Sequence, residues 1–327
     1  MASATTTGQV AEEYCRRYPR TPSLQLARMM YGKEKPLFRS IEHARTSLRY
    51  VRGAKGKLHH QQIKHAARLV RRIVCPPARP CDYKGYDLPD GIKRWLFLSD
   101  VHIPYHDQAA LNEAVRQGQK ARCDGLLLLG DFMDFYNLSK FCKDPRERRF
   151  PDELAEGVQA LDWLRATLKP KAFIWKYGNH EARLDTYVMD RAPELFGIEG
   201  LTLDAFCKLK ERGIQWIPEH CHLQYHRLSI LHGHEIRLGY NAVSPARAAS
   251  LKTGECTVVG HAHRKSEQPE TNILGESKRC WSLGCLCQLH PKWLPENKWT
   301  HGYAILDTTT PSGWSLDNRA IHNGVTL

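Results

Sequence analysis

The sequence predicts an α/β fold preceded by a smaller helical module. Over residues 92–327, short apolar runs alternate with segments of helical periodicity, which is the pattern of strands and helices packed in layers. The apolar runs are nearly uninterrupted, as expected for strands buried on both faces of a sheet. Residues 1–74 show only helical patterns, and residues 75–91 are rich in proline and glycine. That composition predicts a linker between two modules.

The net charge of +13 is concentrated in the N-terminal module. Residues 1–80 carry 17 lysines and arginines but four acids, whereas residues 81–327 hold equal numbers of bases and acids. A basic helical module before a neutral body indicates contact with DNA or RNA, and a helix-turn-helix-like module is one form of it. A solvated helical hairpin is the alternative, since such hairpins also expose basic faces. The composition leaves the oligomeric state open.

Cysteine usage predicts a reducing compartment. The chain has 11 cysteines, an odd number, and no CxxC pairs, so we expect free thiols and a cytoplasmic location. Cys280, Cys285 and Cys287 form the one cluster and are expected to be buried as small apolar side chains. Residues 1–10 do not resemble a secretory signal, and no apolar run approaches the roughly 18 residues of a membrane helix. We therefore expect no membrane partner.

The N-terminal module is predicted to contain several short helices. The first spans residues 10–18, and Ser23 and Ser40 are expected to cap the next two, each of which ends at a glycine. A further basic helical stretch is predicted over residues 58–74. The apolar residues of the Ser40 helix recur at helical spacing, which gives it one buried face. Its arginines are expected on the outside, at Arg45, Arg49 and Arg52.

In the body, apolar runs predict strands and the segments between them predict helices. The runs that end at polar clusters are residues 95–98, 125–129, 172–175, 228–231 and 256–259. Later strands are predicted at residues 278–283 and 303–307. The intervening helices are predicted at residues 107–121, 152–168, 184–189, 201–209 and 244–251, with Asp152 and Ser244 as N-caps.

Each polar cluster contains metal-ligand residue types. The clusters are Asp-x-His at 100–102, Gly-Asp-x-x-Asp at 130–134, Gly-Asn-His-Glu at 178–181, His-Gly-His at 232–234 and Gly-His-x-His at 260–263. One aspartate after one strand more often caps a helix, but several such clusters at strand ends indicate a site, because ligands bind at the carboxyl ends of strands in open α/β sheets. Imidazole with carboxylate and amide oxygen suits Mn, Fe, Zn or Ni.

With these motifs in this order, residues 94–307 resemble the calcineurin-like metallophosphoesterase superfamily. The resemblance implies a four-layer α/β/β/α sandwich and two divalent metal ions, for which Mn is favoured and Fe, Zn and Ni are alternatives. It assigns one metal to Asp100, His102, Asp131 and His263. It assigns the second metal to Asp131, Asn179, His232 and His261. Asp131 would then bridge the two ions, and His232 is preferred over its alternative, His234, as the first residue past the strand.

The resemblance also implies a reaction and roles for further residues. A hydroxide held by the two metals would hydrolyse a phosphate ester, and His180 would contact the phosphate and protonate the leaving oxygen. Asp134 would support the site by orienting a histidine or a water. Arg183, about one helical turn past His180, is a candidate phosphate clamp. A surface arginine without such a role is the alternative for Arg183.

The basic module and the loop at residues 132–150, which mixes aromatic and basic residues, favour a phosphodiester of nucleic acid or a nucleotide as substrate. A phosphomonoesterase or protein phosphatase of the same superfamily is an alternative. From another class, a non-catalytic nucleic-acid-binding or scaffold protein could keep the fold. The presence of every ligand type favours the enzyme.

Overall fold

The computed structural model describes residues 6–53, 61, 63–65, 75–79, 83, 85–141, 144, 146, 149–238 and 243–327. The chain divides into two compact units, Met1–Cys81 and Asp82–Leu327. Most of the helix predicted over residues 58–74, and part of the loop at 132–150, lie outside the described residues. None of the described helices is both long and apolar enough to cross a membrane.

The first unit contains three described helices of similar length: α1 (Thr7–Arg17), α2 (Ser23–Lys33) and α3 (Ile41–Arg52). They pack around one apolar cluster, whose buried members are Val10, Ala11, Cys15, Leu26, Ala27, Met30, Phe38, Ala44, Leu48 and Val51. These residues recur at helical spacing, so each helix buries one face and leaves the other to its charged residues.

The starts of these helices differ in how they are capped. The Ser40 hydroxyl accepts a hydrogen bond from the amide of His43 (3.1 Å), as predicted for an N-cap. The prediction for Ser23 is wrong: α2 begins at Ser23 itself, and Pro22 precedes it without a side-chain cap. Proline can stand there because the first helical amides have no intrahelical partner, so it removes no donor that the helix uses.

Arg52 is not on the outside of α3 as expected. Its guanidinium donates to the carbonyls of Tyr18 and Thr21, each at 2.6 Å, and so ties the end of α3 to the turn between α1 and α2. These carbonyls lie beyond the end of α1, where no helical donor reaches them.

In its described part, the second unit contains thirteen strands: β1 (Gly85–Asp87), β2 (Arg94–Leu98), β3 (Gly125–Leu129), β4 (Ala172–Lys176), β5 (Gln215–Ile217), β6 (His222–Tyr225), β7 (Leu228–Leu231), β8 (Cys256–Val259), β9 (Ser266–Thr271), β10 (Ser277–Ser282), β11 (His301–Asp307), β12 (Ser315–His322) and β13 (Val325–Thr326). Its α-helices are α4 (Gln108–Lys120), α5 (Phe150–Leu168), α6 (Ala182–Arg191), α7 (Leu203–Phe206) and α8 (Pro245–Thr253).

The strands form two mixed sheets. The seven-stranded sheet has the order β13-β12-β11-β2-β3-β4-β5, in which β2 to β5 run parallel. The six-stranded sheet has the order β1-β6-β7-β8-β10-β9, in which β7, β8 and β10 run parallel. Strand β1 lies in the range predicted as a linker, where it pairs with β6. Because parallel strands end at the same edge, the polar clusters that follow β2, β3 and β4 come together, as do those that follow β7 and β8.

Alternate residues of the central strands build two cores. Trp95 and Phe97 of β2 face the second sheet, where they join a cluster that includes Leu223 and Ile230. Their neighbours on the opposite face of β2 pack with α4 and α5 instead. On the outer face of the six-stranded sheet, α8 packs through Ala249. Two sheets lie between helical layers, which confirms the predicted four-layer α/β/β/α fold and explains the uninterrupted apolar runs.

Two helices of the second unit differ from their predictions in where they begin or end. The N-cap position of α5 is Arg149, and Asp152 lies in the first turn, so the N-cap prediction for Asp152 is wrong. Asp152 is paired there with Arg149 and suits the positive end of the helix dipole. The helix predicted at residues 201–209 is confined to α7, which is followed by turns.

Candidate metal centre

The backbone turns sharply where the central strands end. Five of the predicted ligand residues have left-handed backbone conformations, with φ between 50° and 63°: Asp100, His102, Asp131, His261 and His263. Such a conformation costs about 1 kcal/mol for a residue with a side chain. It is retained here because it directs these carboxylate and imidazole groups towards one another.

Glycines in the motifs make room for these aspartates. A Cβ at Gly178 would overlap a carboxylate oxygen of Asp131. A Cβ at Gly260 would overlap the hydroxyl of Ser99, which itself donates to Asp100 Oδ2 at 2.6 Å. The glycines therefore belong to the site because only a residue without a side chain allows this close approach.

Asp131 is the centre of the cluster. Its Oδ2 lies 3.2 Å from His232 Nε2, 3.8 Å from His180 Nε2 and 3.9 Å from His102 Nε2. Its other oxygen accepts a hydrogen bond from the His180 amide (2.9 Å). Three imidazoles from three different strand ends thus surround one oxygen of a fully buried carboxylate.

Asp100 has a similar arrangement on the other side of the cluster. Its Oδ1 lies 3.0 Å from His263 Nε2 and 4.0 Å from His232 Nε2, and its Oδ2 accepts from the His261 amide (2.9 Å). The Nε2 atoms of His102 and His263 are 3.2 Å apart. His263 therefore lies beside Asp100, His102 and His180 lie beside Asp131, and His232 lies near both aspartates.

Hydrogen bonds set which imidazole nitrogen faces the cluster. His232 Nδ1 donates to the carbonyl of Leu129 (2.7 Å), and His102 Nδ1 donates to Asp134 Oδ1 (2.9 Å). In both rings Nε2 is then the nitrogen that faces Asp131, and it is the atom that would bind an ion. This arrangement, with a carbonyl or carboxylate behind the ring, is the one that orients metal-binding histidines.

The buried carboxylates strongly favour positive charge around them. Burial raises the pKa of Asp131, but His180 and His232 outweigh burial and hold that pKa well below its ordinary value. Burial lowers the pKa of His232, but Asp131 and Asp100 outweigh it and raise the pKa to about 10. Burial lowers the pKa of His261 to about 4. Divalent cations would supply the same positive charge, so the electrostatics fit a metal site.

Polar atoms without hydrogen bonds also fit a metal site. Four buried side-chain atoms at this place make no hydrogen bond within the described structure: Asp100 Oδ1, Asp131 Oδ2, Asn179 Oδ1 and His232 Nε2. Among the described residues, three sets of donor atoms are close enough to hold an ion: His102, His263 and Cys287; His102, Asp131 and His180; Asp131, His232 and His261. The second and third sets offer only nitrogen and oxygen donors, which suit borderline divalent metals, whereas the first set also offers the thiol of Cys287.

The three residues predicted to assist catalysis lie together beside Asp131. His180 Nδ1 donates to the Asp134 carbonyl (2.8 Å) and lies 3.3 Å from Asp134 Oδ1. Arg183 donates to the same carbonyl (2.7 Å) and lies 2.8 Å from His180 Nε2. Asp134 thus contacts the rings of both His102 and His180, and Arg183 is not an isolated surface residue.

The two histidines of the fourth motif point in different directions. His232 is fully buried and faces Asp131, whereas His234 lies 3.2 Å from Glu219 Oε2 and 3.4 Å from Glu235 Oε2. The geometry therefore favours His232 for the cluster.

Glu181 was given no role in the sequence analysis, although it is the last residue of the Gly-Asn-His-Glu motif. Its carboxylate accepts hydrogen bonds from the amides of Asp131 (2.9 Å), Gly178 (2.8 Å), Phe132 (2.8 Å) and Met133 (3.1 Å). Glu181 thereby joins the turn after β3 to the turn after β4. Its position after an asparagine and a histidine was the available signal.

A buried ion pair that the sequence did not suggest supports His232. Lys176, the last residue of β4, is fully buried and its Nζ lies 3.0 Å from Glu235 Oε1. Glu235 in turn accepts from the amides of His232 (3.1 Å) and Gly233 (2.6 Å). Burial raises the pKa of Glu235, but Lys176 outweighs it and lowers the pKa to about 2. The pair therefore holds the turn that carries His232.

The surroundings of His263 were also missed. Cys280, Cys285 and Cys287 are buried as predicted, but Cys287 is not only an apolar side chain, because its Sγ lies 3.8 Å from His263 Nδ1 and so borders the cluster. The ring of Trp299 packs against the imidazole of His263, with the ring centroids 4.1 Å apart. Neither residue belongs to a motif that a single sequence would reveal.

Comparison with known proteins gives one family. Residues 93–307 match the family model described as calcineurin-like phosphoesterase. The chain is similar to the Gene 54 protein of Mycobacterium phage L5, with 26% identity over 229 residues that cover 65% of this chain and 88% of that protein.

Two solved structures are similar to this chain, both with low TM-scores. Vacuolar Protein Sorting 29 from Cryptosporidium parvum matches with a TM-score of 0.38 and 13% identity, over 72% of this chain and 95% of that chain. Yfce, a phosphoesterase from E. coli, matches with a TM-score of 0.32 and 14% identity, over 70% of this chain and 100% of that chain. Scores this low carry no argument about function.

Proposed function

This chain belongs to the calcineurin-like phosphoesterase family, and from that premise we propose that its strand-end cluster is a dinuclear metal centre that hydrolyses phosphodiesters of nucleic acid. Metal-dependent hydrolysis of a phosphate ester follows from the family. The observation that supports two ions is the position of Asp131, which belongs to two of the three donor sets, one with His102 and His180 and one with His232 and His261. A carboxylate common to two sets is suited to bridge two ions.

We assign the ligands as the family resemblance implies. One ion would be held by Asp100, His102, Asp131 and His263. The other would be held by Asp131, Asn179, His232 and His261. Two divalent ions in such a site make water a nucleophile at neutral pH and neutralise charge on the phosphoryl oxygens. The assigned imidazole nitrogens and carboxylate or amide oxygens suit Mn, Fe, Zn or Ni, and manganese is our first choice among them.

The neighbouring residues then have separate tasks. His180 has its Nδ1 fixed by the Asp134 carbonyl, and its Nε2 accepts from Arg183, so that Nε2 would first take up a proton and then give it to the leaving oxygen. Arg183, 2.8 Å from that Nε2, offers a guanidinium to a non-bridging phosphoryl oxygen. Asp134 orients both His102 and His180.

Nucleic acid is the proposed substrate because of the charge of residues 1–80, where the whole net charge of +13 resides. A basic helical unit increases the local concentration of a polyanion by electrostatic attraction. We propose that residues 1–74 contact the nucleic acid in this way. Hydrolysis of a phosphomonoester or a phosphoprotein instead, or binding of nucleic acid without turnover, would contradict the proposal that nucleic acid is the substrate.

The substrate class is tested with purified protein and Mn²⁺. Bis-(p-nitrophenyl) phosphate, p-nitrophenyl phosphate, and labelled single- and double-stranded DNA are offered under the same conditions. We expect cleavage of the diester and of DNA at rates well above that of the monoester. Preference for the monoester, or bound metal without any cleavage, would contradict the nuclease proposal.

The role of His180 is tested by His180→Ala. We expect both metal ions to remain bound and kcat to fall by about 10²- to 10⁴-fold, which is the usual contribution of a general acid. Metal content is measured by elemental analysis, with Arg183→Ala as the comparison variant. Loss of an ion from His180→Ala would instead make His180 a ligand, as in its donor set with His102 and Asp131.

A further inference from the structure

A pair of tryptophans extends from the candidate metal centre to the protein surface. The ring of Trp299 packs against His263 with centroids 4.1 Å apart and planes at 62°. Trp293 follows, 5.6 Å from Trp299 and at 63° to it, and 69% of Trp293 is exposed. The aromatic surface therefore begins at a proposed metal ligand and ends in solvent.

Hydrogen bonds within residues 288–300 fix the backbone of the loop that carries both rings. The Asn297 amide group donates to the carbonyls of Leu289 (2.6 Å) and Leu294 (2.8 Å), and its oxygen accepts from the Trp299 amide (2.8 Å). A loop closed on itself in this way has little freedom left to lose when a ligand binds. The exposed ring is thus presented in advance of binding.

The chemistry of this surface matches an unpaired nucleobase with its phosphate. Each tryptophan directly follows an exposed lysine, Lys292 before Trp293 and Lys298 before Trp299. Aromatic faces interleaved with basic side chains are what single-stranded nucleic acids bind, since every base has a face that can stack. The bases of a duplex are already stacked on one another, so their faces are closed to such a ring.

We propose that Trp293 and Trp299 form a stacking site for the nucleobase next to the cleaved phosphate, and that the substrate is single-stranded nucleic acid. The Trp299 ring centroid lies 4.1 Å from that of the His263 imidazole, and the Trp293 ring centroid lies 5.6 Å from that of Trp299. A base on Trp293 would hold its own phosphodiester near the metal centre. This inference rests on the phosphodiesterase function proposed above.

The test measures binding without catalysis. Full-length protein, stripped of metal by a chelator, is titrated into a fluorescein-labelled oligothymidylate and into an oligomer of equal length and charge whose residues are abasic. We expect Trp293→Ala to raise the Kd for the oligothymidylate by about tenfold or more, because stacking on one aromatic side chain contributes that much. The Kd for the abasic oligomer should not change.

Two further variants control the experiment. Trp293→Phe keeps an aromatic face and should retain most of the binding. Ile273→Ala removes an exposed apolar side chain at the turn between β9 and β10, at the opposite end of β10 from the metal centre, and should change neither Kd. Calorimetric titration with Mn²⁺ should show that Trp293→Ala binds metal as the parent protein does, since Trp293 is no part of the cluster.

Three results would overturn the proposal. Equal losses for the base-containing and abasic oligomers would mean that Trp293 acts through the backbone or the fold. An unchanged Kd for the oligothymidylate would mean that the ring is not used. An equal dependence on Trp293 for a duplex of the same length would contradict the choice of a single strand.

Cleavage assays with Mn²⁺ separate this proposal from the one it rests on. Base-dependent binding through Trp293 without cleavage of any oligonucleotide would leave the stacking site standing and reject the nuclease. Cleavage of the oligothymidylate with the same kcat/KM in Trp293→Ala would leave the nuclease standing and reject the stacking site.

Discussion

The small helical unit and the phosphoesterase unit hold their charged side chains in opposite environments. In the helical unit most of the described basic residues face solvent around an apolar cluster, as Arg16, Arg28 and Arg49 do. In the phosphoesterase unit, three acids and a lysine are buried: Asp100, Asp131, Lys176 and Glu181. A buried charge costs several kcal/mol unless other groups compensate it.

This difference indicates what each set of charges does. The buried charges are compensated by partners from other strands and turns, so replacing one of them disturbs both structure and site. The exposed charges interact mainly with water and salt, so they can be replaced with little effect on folding and are available to a polyanion. Substitutions in the two units should therefore have effects of very different size.

The largest effect is expected from Asp131→Asn. The amide keeps the shape of the carboxylate but loses its charge, so we expect loss of metal binding and a fall in activity on the order of a thousandfold or more, since metal ions contribute several kcal/mol to such reactions. Metal content and kcat/KM measure this. Asp317→Asn, at an exposed position of β12, is the matched control and should keep both. Full metal occupancy in Asp131→Asn would rule out a bridging role.

Single substitutions in the Lys176–Glu235 pair should lower both the free energy of unfolding and the metal affinity, and these are two distinct effects. Removing one partner, as in Lys176→Met or Glu235→Gln, leaves a buried group uncompensated and should lower the free energy of unfolding by about 3 to 5 kcal/mol. Metal affinity should fall by about 10- to 100-fold, because Glu235 holds the backbone of His232.

The double variant Lys176→Met/Glu235→Leu separates the two effects. It removes both charges, so most of the stability should return, while the weakened metal affinity should remain. Denaturant unfolding and metal titration measure the two quantities. Recovery of full metal affinity in the double variant would show that the pair serves folding alone.

The raised pKa of Glu153 predicts that the free energy of unfolding depends on pH. Burial and the neighbouring Asp134 raise the pKa of Glu153 to about 8, above its ordinary value of 4.5. Between these values the folded chain keeps a proton that the unfolded chain has lost, so stability should fall as pH rises from 4.5 to 8. The slope is at most about 1.4 kcal/mol per pH unit.

The variant Glu153→Gln should flatten this slope. Its amide cannot ionise, and its oxygen can still accept the hydrogen bond that Glu153 takes from the Phe135 amide. Unfolding of the metal-free protein across this pH range is the measurement. The same slope in Glu153→Gln would assign the proton to another group.

The smallest effects on folding are expected in the helical unit. Arg45→Ser/Arg49→Ser should change the free energy of unfolding by no more than about 0.5 kcal/mol per site. In a salt series, DNA binding by this variant should weaken and its salt dependence should become less steep. Arg52→Ser is the contrasting variant, because it removes the guanidinium that donates to two carbonyls and should destabilise the unit by about 1 to 3 kcal/mol. Unchanged DNA binding by the double variant would contradict a role for this face.

Much of the fold was predictable where the signal is local. The strands β3, β7 and β8 have the predicted bounds, because burial on both faces leaves an apolar run that ends where the strand ends. The caps Ser40 and Ser244 were also predictable, since each accepts a hydrogen bond from an amide three residues away. Strands such as β12 were missed because its exposed positions alternate with buried ones, so that no apolar run marks it.

The sequence by itself determined which residue types follow the central strands, because those residues are contiguous with the apolar runs that form the sheets. Only the tertiary structure decided that Asp131 lies among His102, His180 and His232, and that Lys176 supports the turn of His232. These contacts join residues from separate strands and turns. Their geometry depends on how the two sheets pack and on where each chain segment turns, which no spacing in the sequence encodes.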